Sequence, residues 1–187
     1  MKKAELKELS GTEVTEISGC PVVSYHELIQ YFDLEEILQD RPGFTILYEN
    51  EYNDGHYCAV LIQPDGIEFF DSYGFNKNIG QGSSRELNLH DIDSELHFSK
   101  YDENLVKNKS QFDPKHTLKH LIHDYASRHS LKIIINHHQF QTLDDSINTC
   151  GRWTGYRIRR HNLTLPEFIK LRLNDEDIVT ITNRFLS

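Results

Sequence analysis

Cys150 stands directly before Gly151 at the end of the stretch 141–153, Gln-Thr-Leu-Asp-Asp-Ser-Ile-Asn-Thr-Cys-Gly-Arg-Trp. Far upstream, His56 precedes the apolar run Tyr57-Cys58-Ala59-Val60, and Asp71 closes the run Ile67-Glu68-Phe69-Phe70. A thiol, an imidazole, a carboxylate and a glutamine in this set are the parts of a nucleophilic acyl-transfer site. A free thiol, with a pKa of about 8.5, is mostly protonated at neutral pH, so something must lower that value. A helix starting at Cys150 would aim backbone N–H groups and its positive end at the sulfur. His56 is the candidate base: it follows the turn Asn53-Asp54-Gly55 and would sit at a strand edge, where a cleft can form.

Asp71 ends the next strand. A hairpin returning through Pro64-Asp65-Gly66 brings it near His56, where it can fix the imidazole tautomer. Gln141 would donate its side-chain N–H to an oxyanion, with the Cys150 backbone N–H as second donor. Gln139 competes for that role, one residue away across Phe140. Gly151 offers bare backbone that a substrate can approach closely. Trp153 reads equally as core or as cleft wall. Taken one at a time, each of these residues has an ordinary structural reading; it is their order along the chain that points to catalysis.

The remaining sequence must hold these groups. The chain has 187 residues, 37% hydrophobic and 26% charged, which suits one globular domain over 1–187, with 1–20 polar and loosely ordered. Ser24-x-x-Glu27 has the capping-box pattern of a helix start, and Leu34–Leu38 reads as a second short helix. Strands are expected at 44–48, 57–63, 67–71 and 131–135, in near-continuous apolar runs that suit a sheet covered on both faces. Leu118, Leu121, Ile122 and Tyr125 repeat at helical spacing after a start at Asp113-Pro114. Further helices are expected from Cys150 to Arg160, from the box Thr164-x-x-Glu167, and from Asp175, as cap, to Phe185. Gly80–Ser84 reads as a loop. The fold class is therefore α+β, a central mixed or antiparallel sheet flanked by helices.

Bulk properties narrow the function. The net charge of −9 does not favour a bulk phosphate grip, and the local basic group Arg152, Arg157, Arg159, Arg160 and His161 reads as a solvated helix end. Three scattered cysteines, Cys20, Cys58 and Cys150, are neither a disulfide framework nor a zinc pattern, and suit a reducing intracellular setting. Cys58 shares a strand face with His56 and reads as buried packing. His116, His120 and His123 follow helical spacing without completing a metal set, and His137-His138 reads as a loop feature near the groove. No metal or cofactor is expected. No apolar run is long enough to span a bilayer, and the charged start lacks a signal-peptide core.

The order His, acid, Gln, Cys resembles that of the adenovirus protease and the ubiquitin-like-protein proteases, a clan of cysteine peptidases. His56-Tyr57 is similar to the clan's histidine followed by an aromatic residue. The segment 69–75, Phe-Phe-Asp-Ser-Tyr-Gly-Phe, resembles the adenoviral acid segment, and 148–153, Asn-Thr-Cys-Gly-Arg-Trp, resembles the nucleophile helix start in capsid-maturation proteases of large DNA viruses and virophages. The likeness spans roughly residues 44–160. Gln141 lies nine residues before Cys150, farther than that pattern has it. The resemblance implies a papain-like architecture and an endopeptidase with catalytic Cys150, His56, Asp71 and Gln141. Tyr57, Gly151 and Trp153 are the candidate substrate contacts, although Arg152 and Trp153 stand where that clan usually has small or apolar residues. The resemblance also implies a protein substrate such as a capsid precursor, a virion or host-cytoplasm location, and a possible peptide activator; the acidic charge speaks against a DNA cofactor. The rival readings are a deubiquitinase- or deSUMOylase-like isopeptidase, an acetyltransferase with the same residue set, and a non-catalytic binding module.

Overall fold

The computed structural model describes residues 8–28, 30–49, 55–74, 118–142 and 146–186. One five-stranded sheet organises them, in spatial order β1 (Val22–Ser24), β2 (Gly43–Glu49), β3 (Gly55–Gln63), β4 (Gly66–Asp71) and β5 (Lys132–Ile135). The inner pairs β2–β3 and β3–β4 are antiparallel, and the outer pairs β1–β2 and β4–β5 are parallel. The expectation of an α+β chain with a mixed sheet between helices holds.

Both faces of the sheet are covered, as the unbroken apolar runs of β3 and β4 require. Phe44, Ile46, Cys58, Val60, Ile67 and Phe69 point to one side, where helices α2 (Tyr25–Leu28), α3 (Leu34–Leu38) and α4 (Leu118–Arg128) contribute Leu28, Leu34 and Leu121. Tyr57, Ala59, Leu61 and Phe70 point to the other. There they meet α1 (Gly11–Ser18), α5 (Cys150–Arg159), α6 (Leu165–Ile169) and α7 (Asp175–Thr182). The start of α4 at Asp113-Pro114, His116 and the Gly80–Ser84 segment lie outside the described residues.

Several expectations are corrected. From Leu9 the N-terminal segment joins the core, and α1, which was not among the expected helices, opens on a reciprocal Ser10–Glu13 capping box with Val14 and Ile17 buried. Strand β1 was not anticipated. Its three residues pair with β2 in parallel, too short a run to carry a period. The basic group at 152–161 is solvated only at its end: Arg159 and Arg160 are exposed, whereas Arg152 and Arg157 are buried. Arg157 is fully buried in an ion pair with Glu68, at 2.6 Å, and Arg152 donates to Thr182 and Asn183. Helix α5 is thus the packed centre of its layer, and its arginines tie it to β4 and α7. Finally, Asn174 rather than Asp175 caps α7, accepting from the N–H groups of Glu176 and Asp177, and α7 ends at Thr182.

Candidate active site

The hairpin brings His56 and Asp71 together with a register offset of two. Asp71 pairs across the ladder with Cys58, so it reaches His56 along one strand face rather than straight across. His56 Nε2 lies 2.9 Å from Asp71 Oδ1. That oxygen also accepts the Tyr73 backbone N–H at 2.9 Å, which fixes the carboxylate after the strand ends. Burial opposes charge on Asp71, but His56 and these hydrogen bonds overcome it and hold the carboxyl below its usual range. An ionised carboxylate can only accept. Nε2 must therefore carry its hydrogen, and Nδ1 is the ring nitrogen left with a lone pair.

The same pairing acts on the ring. Burial opposes its charge, yet the Asp71 carboxylate more than reverses that, aided by hydrogen bonding to Asp71 and to the Cys150 thiol. The imidazole pKa is raised well above 6.5. With Nε2 committed to Asp71, Nδ1 is the nitrogen available to Cys150. Asp71, His56 and Cys150 are thus neighbours in the fold. The Tyr73 ring stacks on the imidazole at 4.8 Å between centroids, fixing its plane.

Cys150 opens α5, as its helix-start position requires. Its residue is only 1% exposed, and its sulfur donates to Asn148 Oδ1 at 3.5 Å. Asn148 in turn donates to Glu8, whose other oxygen accepts the Gly55 N–H. The segment before α1 therefore stitches the strand carrying His56 to the turn carrying Cys150. Glu8 and Tyr73 are parts of the site that sequence reasoning did not find. The Ser10–Glu13 box, followed by Val14 and Ile17, was the available signal that this region is ordered.

Gln141 and Gln139 separate clearly. Gln141 is fully buried. Its Oε1 accepts from Ser72 Oγ at 2.9 Å, and its Nε2 donates to Ile147 O and to the Tyr73 hydroxyl. Gln139 is exposed and donates to the Gln141 carbonyl. Only Gln141 is joined through Tyr73 to the imidazole. Its loop is held at Ser72, whose carbonyl accepts the N–H groups of Phe140 and Gln141. Asn136 locks the same corner, bonding Asp71 O and His138. Gly74, at φ +70°, makes this possible, because a Cβ there would lie 2.8 Å from the His138 carbonyl. His137 and His138 are exposed, as are His120 and His123.

Of the three candidate substrate contacts, Tyr57 and Gly151 lie in the core instead, and Trp153 takes the core reading of its two. Trp153 is fully buried and Tyr57 is 3% exposed, its hydroxyl donating to Leu9 O. Gly151 serves packing instead of substrate approach: a Cβ there would come within 2.8 Å of Val14 and 3.1 Å of the Tyr57 ring. The missing side chain lets α1 and β3 close on the start of α5.

Cys58 shares the His56 face as expected. His56, Cys58 and Asp71 offer donor atoms within 4.8 Å of one another, a set that could hold a metal. Burial, with the Asp71 carboxylate beside it, pushes the Cys58 thiol up to about 12, so it is protonated in the absence of a metal. Ring and carboxylate are already engaged with each other.

Among the described residues, no helix is long and apolar enough to cross a membrane. Comparison with known proteins gives a protein of the Sputnik virophage, "Uncharacterized protein V9", 30% identical over 173 residues, covering 91% of this chain and 86% of that protein. No protein-family profile and no solved structure matches the chain.

Proposed function

We propose that this chain, which belongs to the family of the Sputnik virophage protein V9, is a cysteine peptidase of papain-like architecture. The observation that supports the reading is the His56–Asp71 hydrogen bond with Cys150 close by at a helix start. His56 Nδ1 takes the thiol proton while Asp71 supports the imidazolium that results. The thiolate attacks the scissile carbonyl. The Cys150 backbone N–H stabilises the oxyanion, and the Gln141 amide joins it by giving up its hydrogen bond to the Tyr73 hydroxyl; His56 returns its proton to the leaving amine. Water then hydrolyses the thioester and regenerates the thiol. The kinship with a virophage protein supports a viral setting, and with it the processing of capsid or other virion precursors. Peptide activation is compatible with this reading.

The near-complete burial of Cys150 favours one rival, a non-catalytic binding module on this fold. Alkylation and cleavage separate the two. In a peptidase, iodoacetamide at pH 6 labels Cys150 faster than an exposed model thiol, and co-expressed virion precursor is cut by the wild type but not by Cys150→Ala. Slow labelling together with an uncut precursor rejects the peptidase; cleavage by Cys150→Ala rejects the nucleophile.

A further inference from the structure

We infer that Asp175, at the first position of α7, is a positioning residue that sets both oxyanion arms of the proposed peptidase, an inference that rests on that reading. Its side chain is turned inward and the residue is 7% exposed. Capping of α7 does not need it, since Asn174 performs that task. Its Oδ1 accepts from Thr149 Oγ1 at 2.5 Å and from Trp153 Nε1 at 2.9 Å. Its Oδ2 accepts the Thr142 backbone N–H at 2.9 Å. One carboxylate therefore joins the turn before the nucleophile, the first turn of its helix, and the residue after Gln141.

The bond to Thr149 has a chemical consequence. Thr149 is the N-cap residue of α5, a position where a threonine hydroxyl ordinarily accepts an N–H from the first helical turn. Here the hydroxyl is donated to Asp175 and makes no such bond. The Arg152 and Trp153 N–H groups go to the Thr149 carbonyl. The Thr149 side chain caps none of the first N–H groups of α5, and the proposed mechanism assigns the Cys150 N–H to the oxyanion. The Oδ2 bond acts on the other arm. It pins the backbone at Thr142, while Ser72 and Ile147 orient the Gln141 amide. Without Asp175, the hydroxyl can rotate back to cap α5 and occupy the space of the developing charge, and the glutamine loop loses its tether to the nucleophile turn.

Aspartate is specifically suited to this role, since all three partners donate. Asparagine can accept from Thr149 and Trp153 with its one oxygen, but then sets an N–H₂ against the Thr142 N–H. Asp175→Asn thus releases the glutamine arm alone, and Asp175→Ala releases both.

The test compares wild type, Asp175→Asn and Asp175→Ala in three assays. These are alkylation of Cys150 by iodoacetamide at pH 6, inhibition by a peptide aldehyde, and kcat and KM on a peptide that the wild type cleaves. Alkylation needs the thiolate but no oxyanion donor. The expected result for Asp175→Asn is alkylation within about twofold of wild type, a loss of about tenfold in kcat and in aldehyde affinity, and an unchanged KM. Asp175→Ala should lose about a hundredfold in kcat. Thermal melting confirms that Asp175→Asn remains folded. Wild-type kcat and aldehyde affinity in a folded Asp175→Asn would overturn the inference while leaving the peptidase intact. A wild type with no enhanced alkylation and no cleavage brings down the reading beneath it, and the inference with it.

Discussion

Asp71 sits across the β-ladder from Cys58, yet its hydrogen-bond partner is His56, two residues earlier on the same strand face. The diagonal contact leaves Cys58 between the pair and the core, a buried thiol kept neutral by its neighbours. Charge at this corner is thus confined to ring and carboxylate. Asp71→Asn keeps the shape but removes that charge. The imidazole loses the main influence raising its pKa, so NMR titration of His56 should move to lower pH. The amide can also present an N–H₂ to Nε2 and stabilise the wrong tautomer. Turnover should fall by about 10²–10⁴. A His56 titration unmoved in Asp71→Asn would contradict the pairing.

The two linked groups also predict how stability depends on pH. The folded His56 pKa lies above its ordinary 6.5. Its contribution is complete below that value and fades as pH rises through the folded pKa. The folded Asp71 pKa lies below its ordinary 3.8. Its contribution is complete above that value and is lost as pH falls through the folded pKa. The difference in melting temperature between wild type and Asp71→Asn should be flat between about pH 4 and 6.5, and shrink on both flanks. A difference that grows steadily towards alkaline pH has the wrong sign for this pair.

The catalytic candidates were legible in the sequence because each sits at a boundary that composition marks: a turn before a strand for His56, a strand end for Asp71, a helix start for Cys150. What stayed hidden was long-range. The two-residue offset of Asp71 depends on ladder register, which one strand's pattern does not specify. The inward turn of Asp175 is decided by a neighbour: Asn174 takes the cap, and the adjacent carboxylate is free to face the core. Buried Arg157 looked like a surface charge because its partner, Glu68, lies eighty-nine residues away in the chain. Tyr57, Gly151 and Trp153 stood as candidate substrate contacts, whereas the packing of α1 on α5 made them core.

The two glutamines give a sharp contrast. Gln141→Ala removes a buried amide linked through Tyr73 to the base, and turnover should drop by about 10²–10³ if it donates to the oxyanion. Gln139→Ala removes an exposed side chain that donates only to a main-chain carbonyl, so kcat should stay within about twofold. Steady-state kinetics on the same peptide decide it. The reverse ranking would move the oxyanion role to Gln139.

Thiol labelling offers a check that needs no substrate. Cys20 and Cys58 are both buried, and burial raises both pKa values, that of Cys58 to about 12. At pH 6 to 7, mass spectrometry after brief iodoacetamide treatment should find the label on Cys150 alone. His56→Ala should remove that selectivity by taking away the proton acceptor. Label on Cys58 in native protein would mean that its pocket opens and its pKa is ordinary.

The ion pair between Glu68 and Arg157 is the last test, and it concerns the frame rather than the chemistry. Both side chains are fully buried. Arg157 also donates to the carbonyls of Arg160 and Leu163, and its guanidinium lies over the Phe168 ring at 4.9 Å. Burial raises the Glu68 pKa even with Arg157 alongside, which marks how much desolvation the pair must offset. Removing one partner strands the other charge. Arg157→Met alone should destabilise by about 3–5 kcal/mol, whereas Arg157→Met combined with Glu68→Leu should recover much of that loss, since a buried pair replaced by apolar groups of similar size is often neutral. Urea unfolding of the two variants measures the difference. A double variant no more stable than the single one would mean that the pair does more than neutralise itself: it fixes α5 against β4, and so holds Cys150 near His56.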